Sequence, residues 1–331
     1  MKKLKNVMTS NEMIVVYIIM ALSLIIGISN SAFFGVPTLI SLTRAMLVTL
    51  IFAMGEMIVI VSGGIDVSFP AIACISFYAT IKFMIAHNIN SFIFAFAMSA
   101  LIGIAFGILN ALIITRIKIP PLIATLGISS VASGATLAFL GTDEISRIPE
   151  NVDKLSQMFL LTYTTQEGIK YSLTILIIIP VVICIGSYVL LKHTMLGRGI
   201  YAIGGDMNAA RVAGFNVNRI LFFIYMLNGC LAGIGGMTYM ILMRQASPQA
   251  VMGSEMMVIA AVVIGGTRIT GGHGTVIGTI LGVTLITLVQ NNLIMLGVPT
   301  HFQTLVLGFI MLAGTAITSY RAKKIAASAK I

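Results

Sequence analysis

The chain has 331 residues, 58% of them hydrophobic and only 9% charged, and it carries a formal net charge of +10. A soluble domain carries roughly 25% charged residues, so most of this surface must face lipid. With no Trp and few aromatics there is no stacking platform for single-stranded nucleic acid, and no nucleic-acid partner is expected. The excess of Lys and Arg reads instead as a positive-inside bias.

The N-terminal MKKLKN and the apolar run at 13–28 imitate a secretory signal. Many apolar runs follow, so this one is read as an uncleaved first helix. Apolar stretches fall at 13–30, 39–61, 69–86, 91–115, 121–140, 171–191, 219–243, 255–266, 275–296 and 301–320. Backbone polar groups in lipid need partners within their own segment, so these stretches are expected to be helices. The one at 255–266 is too short to span unaided and is expected to be tilted or broken.

With the N-terminus inside, the inner segments hold Lys2, Lys3, Lys5, Arg116, Lys118, Lys192, Arg198, Arg211, Arg219, Arg268, Arg321, Lys323, Lys324 and Lys330. The outer segments hold Lys82, Arg147, Lys154, Lys170 and Arg244, and Arg44 falls within a span. This asymmetry favours cytoplasmic termini. The expectation is an all-α polytopic membrane protein of about ten transmembrane helices, some broken or re-entrant, with both termini cytoplasmic. Residues 1–331 form one transmembrane domain, with an extracytoplasmic loop at 141–170 and a cytoplasmic loop at 192–219.

The first motif is SGGIDVS at 62–68. Gly63 and Gly64 permit a helix break, and an ionisable Asp66 at this depth is a functional hypothesis. Three readings stay open: Asp66 with Ser68 caps the next helix, walls a permeation path, or relays a proton or cation. Further intramembrane polar groups are Glu56, Asn110, Asn228, Glu255, Gln290, Asn291 and Asn292; they suit a substrate path or glue between helices.

GEMIVIVSGGID at 55–66 echoes SEMMVIAAVVIGGT at 254–267, a weak sign of an internal repeat with glycine-interrupted segments. Glycines four apart, Gly103 and Gly107, Gly229 and Gly233, and Gly274, Gly278 and Gly282, lie on single helix faces and allow close helix packing. GGTRITGGHGT at 265–275 lacks the Lys-Ser/Thr of a phosphate-binding P-loop. Gly265 and Gly266 suit a tight helix connection, and His273 a local hydrogen bond. Cys74, Cys184 and Cys230 sit in apolar runs without metal or disulfide spacing, and no nucleophile–base arrangement marks a catalytic site.

The segment GRGIYAIGGDMNAARVAGFN at 197–216 departs from everything around it. Asp206 is a good N-cap, 207–213 are helix-compatible and Gly214 sits where a C′ glycine belongs. A helix of two turns is unstable alone. Its small Ala209, Ala210 and Ala213 favour close approach to a protein partner, with Arg211 at the rim.

Four stretches carry a resemblance: SGGIDVSFPA, KIPPLIATLGISSVASG, GRGIYAIGGDMNAARVAGFNVNR and SEMMVIAAVVIGGTRITGGHGTVIGT. In this order they resemble the ribose-type inner-membrane permeases of bacterial ATP-binding-cassette importers, along nearly the whole chain. The resemblance implies a coupling segment for an ATPase at Gly197, Arg198, Tyr201, Ala202, Gly204, Asp206, Ala209, Ala210, Arg211 and Gly214. By the same resemblance, Gly63, Gly64 and Asp66 match a glycine–aspartate segment of the family and Gly265, Gly266, Gly271 and Gly272 its second glycine segment; with the polar Ser68, Asn110, Asn228 and Asn291, the residues Gly63, Gly64, Asp66, Gly265 and Gly266 make up the expected translocation path.

It also implies a second permease subunit, a cytoplasmic ATPase holding ATP and Mg, an extracytoplasmic substrate-binding protein, and no cofactor on this chain. A bulky residue at Ala210 or Gly214 is then expected to uncouple transport. The implied substrate is a pentose, a hexose or a related furanose-like compound. Two departures stand out: Phe69-Pro70 where the family usually has Val-Gly, and Thr267-Arg268 where it usually has Thr-Ser. An ion-coupled transporter or channel using Asp66 with Glu56 or Glu255 is the alternative from another class.

Overall fold

The computed structural model describes residues 11–165 and 168–292, together with Phe302, Leu305, Gly308, Phe309 and Leu312. Helix α1 covers Asn11–Ser29, α2 Val36–Val61 and α3 Phe69–Ala86. Helix α4 covers Phe92–Leu112 and α5 Pro121–Ala135, each prolonged by a π-turn, Ile113–Ile117 and Thr136–Leu140. A short α6 at Glu150–Ser156 leads into strands β1 (Phe159–Thr164) and β2 (Lys170–Thr174). Then follow α7 (Ile178–His193), α8 (Met195–Gly205), α9 (Met207–Val212), α10 (Val217–Met243), α11 (Glu255–Ile264) and α12 (Val276–Asn292).

Local chemistry sets the ends of these helices. Proline opens α2, α3 and α5, where its missing N–H costs nothing. Ser91, Thr194, Asp206 and Asn216 cap α4, α8, α9 and α10 through side-chain oxygens.

Among the described residues, seven helices are long and apolar enough to cross a membrane. Helix α11, of 10 residues, is shorter than a full span, and α12 is described over 17 residues up to Asn292. The expected stretch at 301–320 lies outside the described residues except for the five single positions. One expectation is corrected: 171–191 is not helical throughout. It opens as β2, which pairs antiparallel with β1 and sets Tyr163 opposite Tyr171 and Leu161 opposite Leu173. Thr and Tyr along both strands favour the extended backbone, so the fold is α-helical with one β-hairpin.

Helices α2, α3 and α10 form the buried centre, while α1, α4, α5 and α7 keep large apolar side chains exposed. The Gly103/Gly107 and Gly229/Gly233 pairs pack as expected, whereas Gly274 falls in the loop before α12 and only Gly278 and Gly282 share a helix face. A Cβ on Gly103 would lie 2.2 Å from the Gly229 carbonyl oxygen, and one on Gly233 2.2 Å from that of Ser99. Such backbone-to-backbone approach lets the Ser99 hydroxyl donate to Gly233 O across α4 and α10 at 2.8 Å.

The helix ends gather on two faces. On one, Arg244 forks onto both Asp153 oxygens at 2.7 Å each, and residues 145 and 246 exchange backbone hydrogen bonds beside the hairpin. On the other, the end of α2, helices α8 and α9, the start of α10 and the 265–275 loop meet. There the Thr275 hydroxyl also reaches Glu12 of α1 at 2.5 Å.

Candidate functional site

Helix α2 stops at the SGGID segment because Gly63 takes the left-handed conformation, φ +88°. Gly63 N–H bonds Ile60 O at 2.9 Å and Gly64 N–H bonds Val59 O at 3.2 Å, which closes the last turn. The echoed segment ends the same way. Gly266 has φ +100°, with Gly266 N–H on Val263 O at 2.9 Å and Thr267 N–H on Val262 O at 3.3 Å. The two echoed stretches therefore share a helix-stop device.

Past this break the chain runs extended for a few residues and buries a polar group. Asp66 Oδ1 accepts from Ser68 N–H at 2.7 Å and from the Ser68 hydroxyl at 2.5 Å, and Oδ2 accepts from Asn228 Nδ2 at 2.8 Å. Asn110 Nδ2 donates to Ser68 Oγ at 2.8 Å, and Asp66 N–H donates to Glu56 Oε1 at 3.2 Å. Thr125 takes Val67 N–H at 3.3 Å. Glu56, Asp66, Ser68, Asn110 and Asn228 are all at most 2% exposed. Five helices converge here on a carboxylate whose oxygens are both engaged, the condition for burying charge in a low-dielectric core.

Of the predicted path residues, the structure brings together Gly63, Gly64, Asp66, Ser68, Asn110 and Asn228, with Glu56. Ser68 stands at the N-cap of α3, but its hydroxyl donates to Asp66 instead of capping the helix. Gly265 and Gly266 lie apart, where a Cβ on Gly265 would come within 2.2 Å of Gly278 O. Asn291 is exposed near the end of α12. Glu255 opens α11 and makes no hydrogen bond to the Asp66 group, so of the carboxylates in the ion-coupled reading Asp66 and Glu56 come together and Glu255 stays apart.

Sequence reasoning missed Thr125 and Tyr225. Tyr225 lies one helical turn before Asn228, and its 1%-exposed hydroxyl has no hydrogen-bond partner among the described residues. The i, i+3 spacing of Tyr225 and Asn228 within an apolar run was the available signal.

Helix α8 lies against the underside of this break. A Cβ on Gly204 would fall 1.9 Å from Val61 O and 2.4 Å from Gly272 N, so α8 meets the end of α2 and the 265–275 loop backbone to backbone. Gly272 N–H donates to Val61 O at 2.8 Å and the Tyr201 hydroxyl to Gly274 O at 2.7 Å. Burial pushes the Tyr201 phenol up, which keeps it a donor. Gly197 packs as tightly, its Cβ position 2.3 Å from Leu190 O. The loop itself is a tight helix connection, with His273 Nδ1 3.2 Å from Gly266 O. Of the two sequence departures, Arg268 is exposed and disturbs no packing, while Phe69 is buried against Phe52 at 5.2 Å between ring centroids.

Helix α9 stands out from this surface. Asp206 Oδ1 accepts from Asn208 N–H at 2.8 Å and Ala209 N–H at 3.0 Å. At the other end Gly214, φ +87°, donates to Arg211 O at 3.0 Å, and Phe215 N–H reaches Ala210 O at 3.1 Å. One expectation changes here. Ala210 is 2% exposed, turned into the chain itself, so its surface is not free for a partner. The free surface is made by Asp206, Met207, Asn208, Ala209, Arg211, Val212, Ala213 and Gly214, with Val212 91% exposed. Arg198, on α8, also stays exposed.

Residues 38–314 match the family described as branched-chain amino acid transport system / permease component. The chain is 34% identical to the ribose import permease RbsC of Bacillus subtilis (strain 168) over 291 residues, 88% of this chain and 87% of that one. The chain belongs to this family of import permeases. The permease is also 28% identical to RbsC of Escherichia coli (strain K12), over 90% of its own length and 91% of that chain. It is 30% identical to the D-allose transport system permease AlsC of the same strain, over 82% and 79% of the two chains. No solved structure matches it at a significant level.

Proposed function

We propose that this permease carries a simple sugar, a pentose, hexose or related furanose-like compound, across the bacterial inner membrane as the membrane-spanning subunit of an ATP-binding-cassette importer. The observation behind this reading is the likeness to a ribose import permease along 88% of the chain, joined by a likeness to an allose permease. The family description names branched-chain amino acids, but the individual relatives that match across most of the chain are sugar permeases, and the reading follows them.

In this reading the α8–α9 face is cytoplasmic and the hairpin face extracytoplasmic, as the charge asymmetry favours. Two permease subunits work as a pair, with a substrate-binding protein on the hairpin face. An ATPase seats on the exposed residues of α9, and ATP and Mg stay on that partner. Closure of the ATPase then displaces α8, and the glycine contacts at Gly204, Gly63 and Gly271 carry the shift to the break that positions Asp66.

The test is uptake of labelled sugars into proteoliposomes holding the permease with its ATPase and binding protein. Uptake is expected to require ATP and both partners. Uptake driven by a proton or sodium gradient through the permease alone would overturn the reading.

A further inference from the structure

A cavity of about 310 Å³ opens beside α9 on the face opposite the hairpin. Its volume sits at the small end of ligand sites, about 300–1,000 Å³. Lys118 and Arg211 line it and no acidic side chain does, while the buried Asp66 and Glu56 stand behind the floor, close enough to act on the Tyr225 hydroxyl. Neither cation has an ion-pair partner among the described residues, and the one hydrogen-bond contact of the Arg211 guanidinium is a long 3.8 Å approach to Met207 sulfur.

The start of α10 adds to this field: its first residues, Val217 and Asn218, line the cavity. A helix N-terminus presents unpaired N–H groups and the positive end of the macrodipole. Asn216 caps α10 by taking only the Arg219 N–H, at 3.1 Å.

Tyr225 supplies a separate observation. It lines the same cavity, it is 1% exposed, and its hydroxyl has no partner among the described residues. Gly64 leaves room for that hydroxyl, since a Cβ there would lie 2.4 Å from it. A buried donor without an acceptor costs about 1–3 kcal/mol, a cost that a bound acceptor removes.

We propose that this cavity is a phosphate-binding site, with Lys118 and Arg211 neutralising the anion and Tyr225 donating from the floor. A phosphate accepts from all three, and an arginine fork matches its geometry. The phosphate has two sources that the cavity would accept alike: a soluble phosphorylated sugar and the headgroup of an anionic lipid. The exposed Ile117 beside Lys118 puts the mouth close to lipid. The site stands independently of which sugar is carried.

Binding is measured on the purified permease alone, so a failure of the transport reading does not touch it. One arm titrates inorganic phosphate and pentose 5-phosphate, with free pentose as control. The other places the protein in phosphatidylcholine nanodiscs with graded phosphatidylglycerol and reads bound lipid by native mass spectrometry. Saturable, salt-sensitive binding is expected in at least one arm.

Lys118→Asn should weaken it about tenfold, because Asn removes the charge yet tolerates the left-handed backbone at this position, φ +63°. Tyr225→Phe should weaken it severalfold with the charge unchanged. Absence of binding in both arms, or binding indifferent to Tyr225→Phe, overturns the site; the latter result would mean diffuse surface attraction only.

Discussion

Gly204→Ala is the sharpest probe of the junction beneath the helix break. The added methyl would sit 1.9 Å from Val61 O and 2.4 Å from Gly272 N, both backbone atoms that no rotamer change can move aside. Those two atoms are themselves hydrogen-bonded at 2.8 Å, so the methyl wedges into an existing bond. Overpacking costs about 1–3 kcal/mol and an unsatisfied buried N–H about 1–3 kcal/mol. Alanine in a helix returns only about 0.5–1 kcal/mol. A net loss of roughly 3 kcal/mol is expected. The neighbouring Gly205→Ala is the control, because nothing lies within 4 Å of its Cβ. Thermal unfolding of the two detergent-solubilised variants beside the parent decides the matter. Gly204→Ala should melt well below the parent and Gly205→Ala at or above it. Equal melting of the two variants would refute the backbone junction.

Three further outcomes follow from the same geometry. Asp66→Ala strands the Ser68 N–H, the Ser68 hydroxyl and the Asn228 amide, and should cost more than about 3 kcal/mol; Asp66→Asn keeps an acceptor and should cost distinctly less, as folded yield and melting would show. Gly63→Ala and Gly214→Ala meet no atom closer than 3.8 Å, so each should lose only the left-handed backbone penalty of about 1–2 kcal/mol; matched destabilisation in the same melting assay is the expected result. Asp206→Ala removes the N-cap of α9 at about 1 kcal/mol, and hydrogen exchange should speed up in 207–212 while α10 stays protected.

What was legible in the sequence is what short-range chemistry decides. Asp206 as cap and Gly214 as C′ residue mark α9 within a residue of its observed ends, because both signals act within one helical turn. The Gly103/Gly107 and Gly229/Gly233 pairs were equally readable, since spacing within one helix fixes the shared face, but Gly274 precedes the first turn of α12 and drops out of its ladder. The hairpin was not. A short apolar run such as YSLTILIIIP suits a buried strand as well as a helix, and only the pairing of β1 with β2 tips residues 170–174 to strand.

The inward turn of Ala210 was hidden for a related reason. When a two-turn helix carries mostly small residues, the side that docks is chosen by what it rests on. Here Phe215 and Val217 follow within a few residues, and Val217 is buried.

The Asp66 group shows why residue types were readable while their assembly was not. Asn110 is 42 residues from Ser68 and Asn228 is 162 from Asp66, so no local pattern links them. Burial cost supplies the missing constraint. A carboxylate this deep in an apolar chain is stabilised when donors reach its oxygens; both oxygens of Asp66 are engaged, while Glu56 Oε2 has no partner among the described residues. Asn228 reaches Asp66 because Gly55 faces it, where a Cβ would stand 2.1 Å from Asn228 Oδ1. The glycine in GEMIVIVSGGID is thus as much a part of the site as its aspartate. Glycine also lets Gly204 touch the end of α2 and lets Gly64 accommodate Tyr225. From α8 to the buried carboxylate, the contacts are backbone against backbone or backbone against one rigid side chain. With so few flexible side chains between them, a displacement of α8 has little to compress before it reaches the helix break.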